Sequence, residues 1–308
     1  MKHPSWLLFL IPFLVLIPSS SASAQTPAPQ REGGGLDTAR IEQLTGAQGA
    51  LDAKEGVFKV SVPRKDLAVR VGGARLNPRQ GLTSWAAFQR AGESAMVMGD
   101  IVLLESEVDP VMSAALDAGL EVTALHNHFL WDEPRVMFMH IGGHGPADEL
   151  ATAVGKVFRT LEGARGRKAQ TVDVDPARSA LKTEEIAEIL GARGDLADGV
   201  FKVTIAKTTR MHGETVGAAM GVNTWAAFAG GEHEAVVDGD FAMYEAEVQA
   251  VLKALRKAGI SVVALHNHMI GEEPRVVFLH FWGTGPAADL ARGLRSALDA
   301  QAAASTSK

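Results

Sequence analysis

Three imidazoles and a carboxylate stand within 15 residues of one another at His126, His128, Glu133 and His140, and the set returns at His266, His268, Glu273 and His280. Imidazole nitrogen and carboxylate oxygen are ordinary ligands of zinc and other divalent first-row metals. Three such ligands that leave one position open hold an ion able to activate water. Every internal spacing is retained, from His126-Asn127-His128 to Glu133-Pro134-Arg135 and from His266-Asn267-His268 to Glu273-Pro274-Arg275. The sequence therefore nominates His126, His128, His140, His266, His268 and His280 as metal ligands, with zinc as the default and copper, iron, manganese and nickel open. Glu133 and Glu273 are the candidate catalytic carboxylates, completing the coordination or acting as general base. Arg135 and Arg275 are candidates for binding an anionic substrate group, with a salt bridge to the neighbouring glutamate as the plainer alternative.

A strand pair must position these groups. Residues two apart on a strand share a face, so a strand over 120–128 projects His126 and His128 together. The segment 135–141 is its expected antiparallel partner. A register that sets His140 opposite His126 and Phe138 opposite His128 brings the rings within reach of one ion, because directly opposed Cβ atoms are about 4.5–5.5 Å apart. The same register sets His280 opposite His266. Alternation assigns Val122, Ala124, Val136 and Phe138 to the histidine face, matched by Val262, Ala264, Val276 and Phe278. Imidazoles on so apolar a face need partners, and a hydrogen-bonded histidine network duplicated with the fold would also supply them. Met137 and Met139 alternate away from His140 and read as core rather than copper ligands.

The wider chain is a tandem duplication, with a first repeat at 36–163, a linker at 164–180, a second repeat at 181–300 and a disordered tail at 301–308. Each copy opens on a short helix stopped by glycine, Gly46 or Gly191. A strand follows, Gly56 to Val60 or Gly199 to Val203, and then Trp85-Ala86-Ala87-Phe88 or Trp225-Ala226-Ala227-Phe228, which reads as core packing. Short strands around Gly99-Asp100 and Gly239-Asp240 lead through Glu105 and Glu107, or Glu245 and Glu247, into a helix. Acidic residues in a first helical turn complement the macrodipole and need no site to explain them. Another helix starts after Gly145-Pro146 and runs to about Leu161. The fold class is α+β, an antiparallel or mixed sheet with packed helices, ferredoxin-like in flavour.

Residues 1–24 have a charged start at Lys2, an apolar run from Trp6 to Ile17, and Ala22-Ser23-Ala24, the pattern of a cleaved signal peptide; a flexible tether at 25–35 follows. A periplasmic or secreted location is expected, with no transmembrane anchor after cleavage. The chain has no cysteine, which excludes disulfides, thiolate ligands and a lipid anchor on cysteine. A net charge of −6 and the lack of a basic stripe exclude the electrostatic footprint of a nucleic-acid partner.

The Trp85 block, Val97-Met98-Gly99-Asp100 running into Glu105, Val122 to His128, and Pro134-Arg135 to His140 together resemble the LppY/LpqO-like family of bacterial secreted or lipid-anchored proteins. The resemblance covers the mature chain once per copy. It implies an envelope location and a domain of unknown function, and it assigns no catalytic residue. The expected function is thus metal binding in the envelope, either as a metal-dependent hydrolase or as a non-catalytic protein that binds a metal or small ligand. A structural protein with a buried histidine network is the third reading.

Overall fold

Asp37 accepts a hydrogen bond from the amide of Arg40 and so starts α1 (Thr38–Thr45), which Gly46 ends in the left-handed conformation. The structure, a computed structural model, describes residues 35–164 and 171–306. The expected signal peptide and the tether up to residue 34 lie outside these, as do 165–170 of the linker.

The first copy continues through β1 (Gly49–Asp52), β2 (Val57–Pro63), β3 (Arg70–Val71), β4 (Ala74–Arg75), β5 (Thr83–Ala91), β6 (Ser94–Leu104), α2 (Glu105–Asp117), β7 (Glu121–His126), β8 (Asp132–Glu133), β9 (Val136–Gly145) and α3 (Ala147–Gly163). The second copy repeats this as α4 (Thr183–Leu190), β10 (Gly194–Ala197), β11 (Val200–Ala206), β12 (Thr209–Met211), β13 (Glu214–Val216), β14 (Asn223–Gly230), β15 (Ala235–Tyr244), α5 (Val248–Lys257), β16 (Ser261–His266), β17 (Val276–Gly285) and α6 (Ala287–Thr306).

Twelve strands form one sheet in the order β1-β2-β5-β6-β9-β7-β16-β17-β15-β14-β11-β10, which reads the same through the second copy from its other end. Neighbouring strands are antiparallel throughout. Within each copy α2 or α5 carries the chain from β6 to β7, or from β15 to β16, and the next strand inserts between them. This split crossover is the ferredoxin-like element of an α+β fold. Among the described residues the six α-helices cover one face, where Phe88, Ile101, Leu125 and Met139 of the first copy and Phe228, Phe241, Leu265 and Leu279 of the second join one core with the helices. Two smaller clusters lie on the other face. Val69, Leu82, Val102, Val136 and Phe138 form one, and Val216, Val222, Ala242, Val276 and Phe278 form its counterpart.

Several expectations are corrected. The strand expected over 120–128 ends at His126, and His128 lies in the following loop. The observed register sets His126 opposite Phe138 and His140 opposite Ala124, two residues from the expected one, so the facing survives and the rings meet diagonally. A bulge between Val122 and Ala124 breaks the alternation: Val122 pairs with Ile141 and joins the helix-side core, leaving Ala124 and His126 on the open face. Val262 behaves in the same way. Trp85 and Trp225 are not core. Ala86 and Phe88 are buried under the helices, whereas Trp85 is half-buried on the open face under the ammonium of Lys59, 3.9 Å from its ring; Lys202 covers Trp225 at 4.3 Å. The expected tail at 301–308 is the last part of α6 as far as Thr306, held because Gln301 donates to Ala242 O and Glu247 and Ser305 donates to Glu247.

Two of the acids at the start of the crossover helices, Glu107 and Glu247, are structural. Glu107 is buried, accepts the amide of Leu104, and binds the guanidinium of Arg64 through both oxygens at 2.9 and 3.0 Å. Glu247 does the same for the amide of Tyr244 and for Lys207.

Candidate metal centres

On the open face, the turn of β7 into its loop stacks three imidazoles. His126 and His140 share a hydrogen bond between their Nε2 atoms at 3.0 Å, their rings 5.1 Å apart. His128 lies flat on Phe138, ring centres 3.4 Å apart and planes 3° from parallel, and its own ring is 5.2 Å from that of His126. Phe138, expected as mere facing, thus serves as the platform that orients His128. The loop contributes to the same end, as the side-chain amide of Asn127 donates to the carbonyl of Phe129.

The second copy shows the same rings in a slightly different pose. His268 stacks on Phe278 at 3.5 Å, His266 and His280 stack at 4.9 Å, and the Nε2 atoms of His266 and His268 approach to 3.1 Å. His280 directs Nδ1 at the carbonyl of Gly239, 3.3 Å away. A carbonyl only accepts, so Nδ1 carries the proton and Nε2 keeps its lone pair for a ligand.

The carboxylate beside the rings comes from the neighbouring strand. Asp240 faces His280 across β15 and β17, with one oxygen 3.6 Å from Nε2 of His268 and the other accepting the amide of Leu279 at 3.0 Å. Ligand atoms of Asp240, His266 and His268 all lie within 4.8 Å of one another. Two nitrogens on one tetrahedral zinc stand about 3.3 Å apart, given bonds of about 2.0–2.1 Å, so little movement separates these rings from a coordinating pose. Asp100 faces His140 in the first copy, buried, with Oδ1 lacking a hydrogen-bond partner among the described residues. A buried orphan oxygen among imidazoles is what a cation would satisfy.

Each aspartate follows a glycine for a steric reason. A Cβ on Gly99 would stand 2.7 Å from the carbonyl oxygen of Trp85 and 2.9 Å from the Ile141 side chain, and one on Gly239 would collide with Phe281 and the Trp225 carbonyl. The Gly-Asp pair lets β6 and β15 lie tight against their neighbours and sets the acid on the open face.

Burial lowers the pKa of His128, and Asp100 partly opposes this while His126 and His140 reinforce it. Burial likewise lowers His266 and His268, with His280 adding to both and Asp240 opposing at His268. Asp240 is raised by burial, against the pull of His280 and His268. These environments favour neutral imidazole, the form that binds metal.

The other nominated residues lie elsewhere. Glu133 is exposed and pairs through its backbone with Arg70, and Glu273 is exposed and exchanges backbone hydrogen bonds with Arg210 at 3.0 Å. The acid before each is the buried one: Asp132 accepts the amide of Val136 at 2.7 Å and Glu272 that of Val276 at 3.1 Å. Arg135 forms an exposed ion pair with Glu105 at 3.9 Å, while Arg275 lines a groove between the two copies. Asp100 and Asp240 are the residues sequence reasoning missed. The available signal was an acid repeated in the middle of an apolar strand, where it needs a partner.

A model of the family described as Domain of Unknown Function (DUF1259) matches residues 39–160 and again 184–300. The search of curated proteins found no match. Two solved structures are similar. One is the trimeric bacterial microcompartment shell protein PduB, at 12% identity over 82% of this chain and 89% of that one, with a TM-score of 0.19. The other is the double-ringed trimeric shell protein MSM0271 from the RMM microcompartment, at 14% identity over 68% and 82%, also with a TM-score of 0.19.

Proposed function

The chain belongs to the DUF1259 family through two copies of its domain, and from that premise we propose that each copy binds one divalent transition-metal ion, zinc by default. The donors are Asp240, His266, His268 and His280 in the second copy and Asp100, His126, His128 and His140 in the first. The observation that carries the reading is the convergence of Asp240, His266 and His268 within 4.8 Å, on rings whose burial favours the neutral form. A metal held by imidazole and carboxylate supplies a Lewis acid and a water of lowered pKa, the basis for a hydrolytic activity. The chain's own contribution is to fix the rings: Phe138 and Phe278 hold His128 and His268 flat, and Gly239 O sets the tautomer of His280. A periplasmic or secreted location is supported by the signal-like segment at 1–24 and by the resemblance to LppY/LpqO-like envelope proteins.

The short contacts between imidazoles also suit a metal-free hydrogen-bonded network, and elemental analysis separates the two. Natively purified full chain is expected to carry about two ions, falling to about one in the His266→Ala/His268→Ala variant and in the His126→Ala/His140→Ala variant. Folded wild-type protein that stays metal-free when dialysed against zinc, copper, iron, manganese and nickel salts overturns the reading.

A further inference from the structure

The two copies meet at β7 and β16 through a single backbone bridge, Leu125 to Leu265. To one side of that bridge a groove of about 540 Å³ opens, within the range of small-molecule sites. Its apolar lining comprises the half-buried Ala124 and Val277 and the buried Val122, Val248 and Leu265. Charges of both signs also line it, Arg275 on the one hand and Glu121 and Glu245 on the other.

We infer that this groove binds a small zwitterion, a free amino acid or short peptide with apolar side chains, holding its carboxylate by Arg275 and its ammonium by Glu121 and Glu245. Arg275 makes no ion pair within 4 Å among the described residues, although its counterpart Arg135 is paired with Glu105. Its forked donors are therefore available to a carboxylate. A simple anion would meet two glutamates, and a simple cation would meet the arginine; a ligand with one charge of each sign satisfies both while its side chains cover the apolar lining. Two features tie the groove's walls together. The amide of Val122 donates to the Gln249 side chain at 3.1 Å, and that side chain donates back to the Val122 carbonyl at 2.9 Å, so β7 and α5 are joined beside the groove. His266 and Asn267 also line it, so the groove opens beside the second metal centre, yet the proposed ligand contacts use neither.

Calorimetric titration of the full chain with leucyl-leucine tests this, alongside N-acetyl-leucyl-leucine, which lacks the ammonium, and leucyl-leucine amide, which lacks the carboxylate. The expected result is saturable binding of the dipeptide, weakened about tenfold or more by either cap and by Arg275→Gln, with Arg90→Gln unchanged. Thermal melting of Arg275→Gln, an exposed position, checks that its fold is intact. Absence of saturable binding, equal affinity for the capped peptides, or full affinity in Arg275→Gln overturns the inference. The titration is run on EDTA-stripped and zinc-loaded protein. Dipeptide binding without zinc uptake fails the metal reading alone, and zinc uptake without dipeptide binding fails this one alone.

Discussion

Asp240 is the residue on which the second centre turns, since it joins a buried carboxylate to His268 and faces His280. Asp240→Asn keeps the amide contact geometry but removes the charge, and the expected outcome is a loss of zinc affinity at that centre of about tenfold or more, measured by competition with a chelator. The pH response of the metal-free protein follows from the imidazoles. His128, His266 and His268 have folded pKa values below the ordinary 6.5, so the unfolded chain binds more protons as pH falls below 6.5, and stability declines there. Asp240, raised by burial, acts with the opposite sign: its cost appears as pH rises above 3.8 and grows until the folded group ionises. Melting in EDTA is therefore expected to show a falling midpoint as pH is lowered from 6.5, with the slope reduced in His266→Gln/His268→Gln; an unchanged slope contradicts the assignment. The clustering of the six histidines of the candidate centres was legible in the sequence, because paired, evenly spaced imidazoles repeat as a unit. Their aspartates were not, because proximity across β6–β9 and β15–β17 depends on strand order, which no local pattern encodes.

At the scale of elements, the repeat, the helix–strand–strand–helix half and the capped helices could all be read from periodicity and glycine stops. What failed was detail that depends on an extra residue. The bulge between Val122 and Ala124 reverses the facing of everything before it, and alternation alone cannot reveal it. Thr123 is the extra residue, so deleting it is expected to restore regular alternation with Val122 still on the helix side and Ala124 still on the open face, whereas inserting a second residue beside it is expected to force Glu121 and Val122 onto each other's faces, costing several kcal/mol by burying a charge and exposing a core valine, read as a fall in melting temperature. The crossover helices raise a separate point. Arg64 and Glu107 are 2% and 0% exposed, whereas Lys207 beside Glu247 is 16% exposed. Arg64→Ala leaves a buried carboxylate without its fork and is expected to cost about 3–5 kcal/mol in denaturant unfolding, more than Lys207→Ala, whose site admits water.

For the molecule as a whole, one sheet with helices on a single face leaves both candidate centres on the uncovered side, in strands that flank the seam. Among the described residues no helix is long and apolar enough to cross a membrane. The seam is thin in backbone terms and is reinforced by side chains. Gln249 binds Val122, Asp109 binds Ser261 at 2.7 Å and Arg256 at 2.7 Å, and α2 packs on α5. A fragment spanning 35–164 would expose the β7 edge and the α2 surface, and it is expected to self-associate in sedimentation experiments, whereas the full chain supplies its own partner. In a symmetric homodimer one residue must serve at both related positions of the interface, so position 109 would meet its own copy's requirements twice. Here the equivalent positions hold Asp109 and Gln249, each suited to a different neighbour. A duplicated chain, unlike such a dimer, lets related positions differ, and Arg275, which lines the groove, differs in the same way from Arg135, which pairs with Glu105.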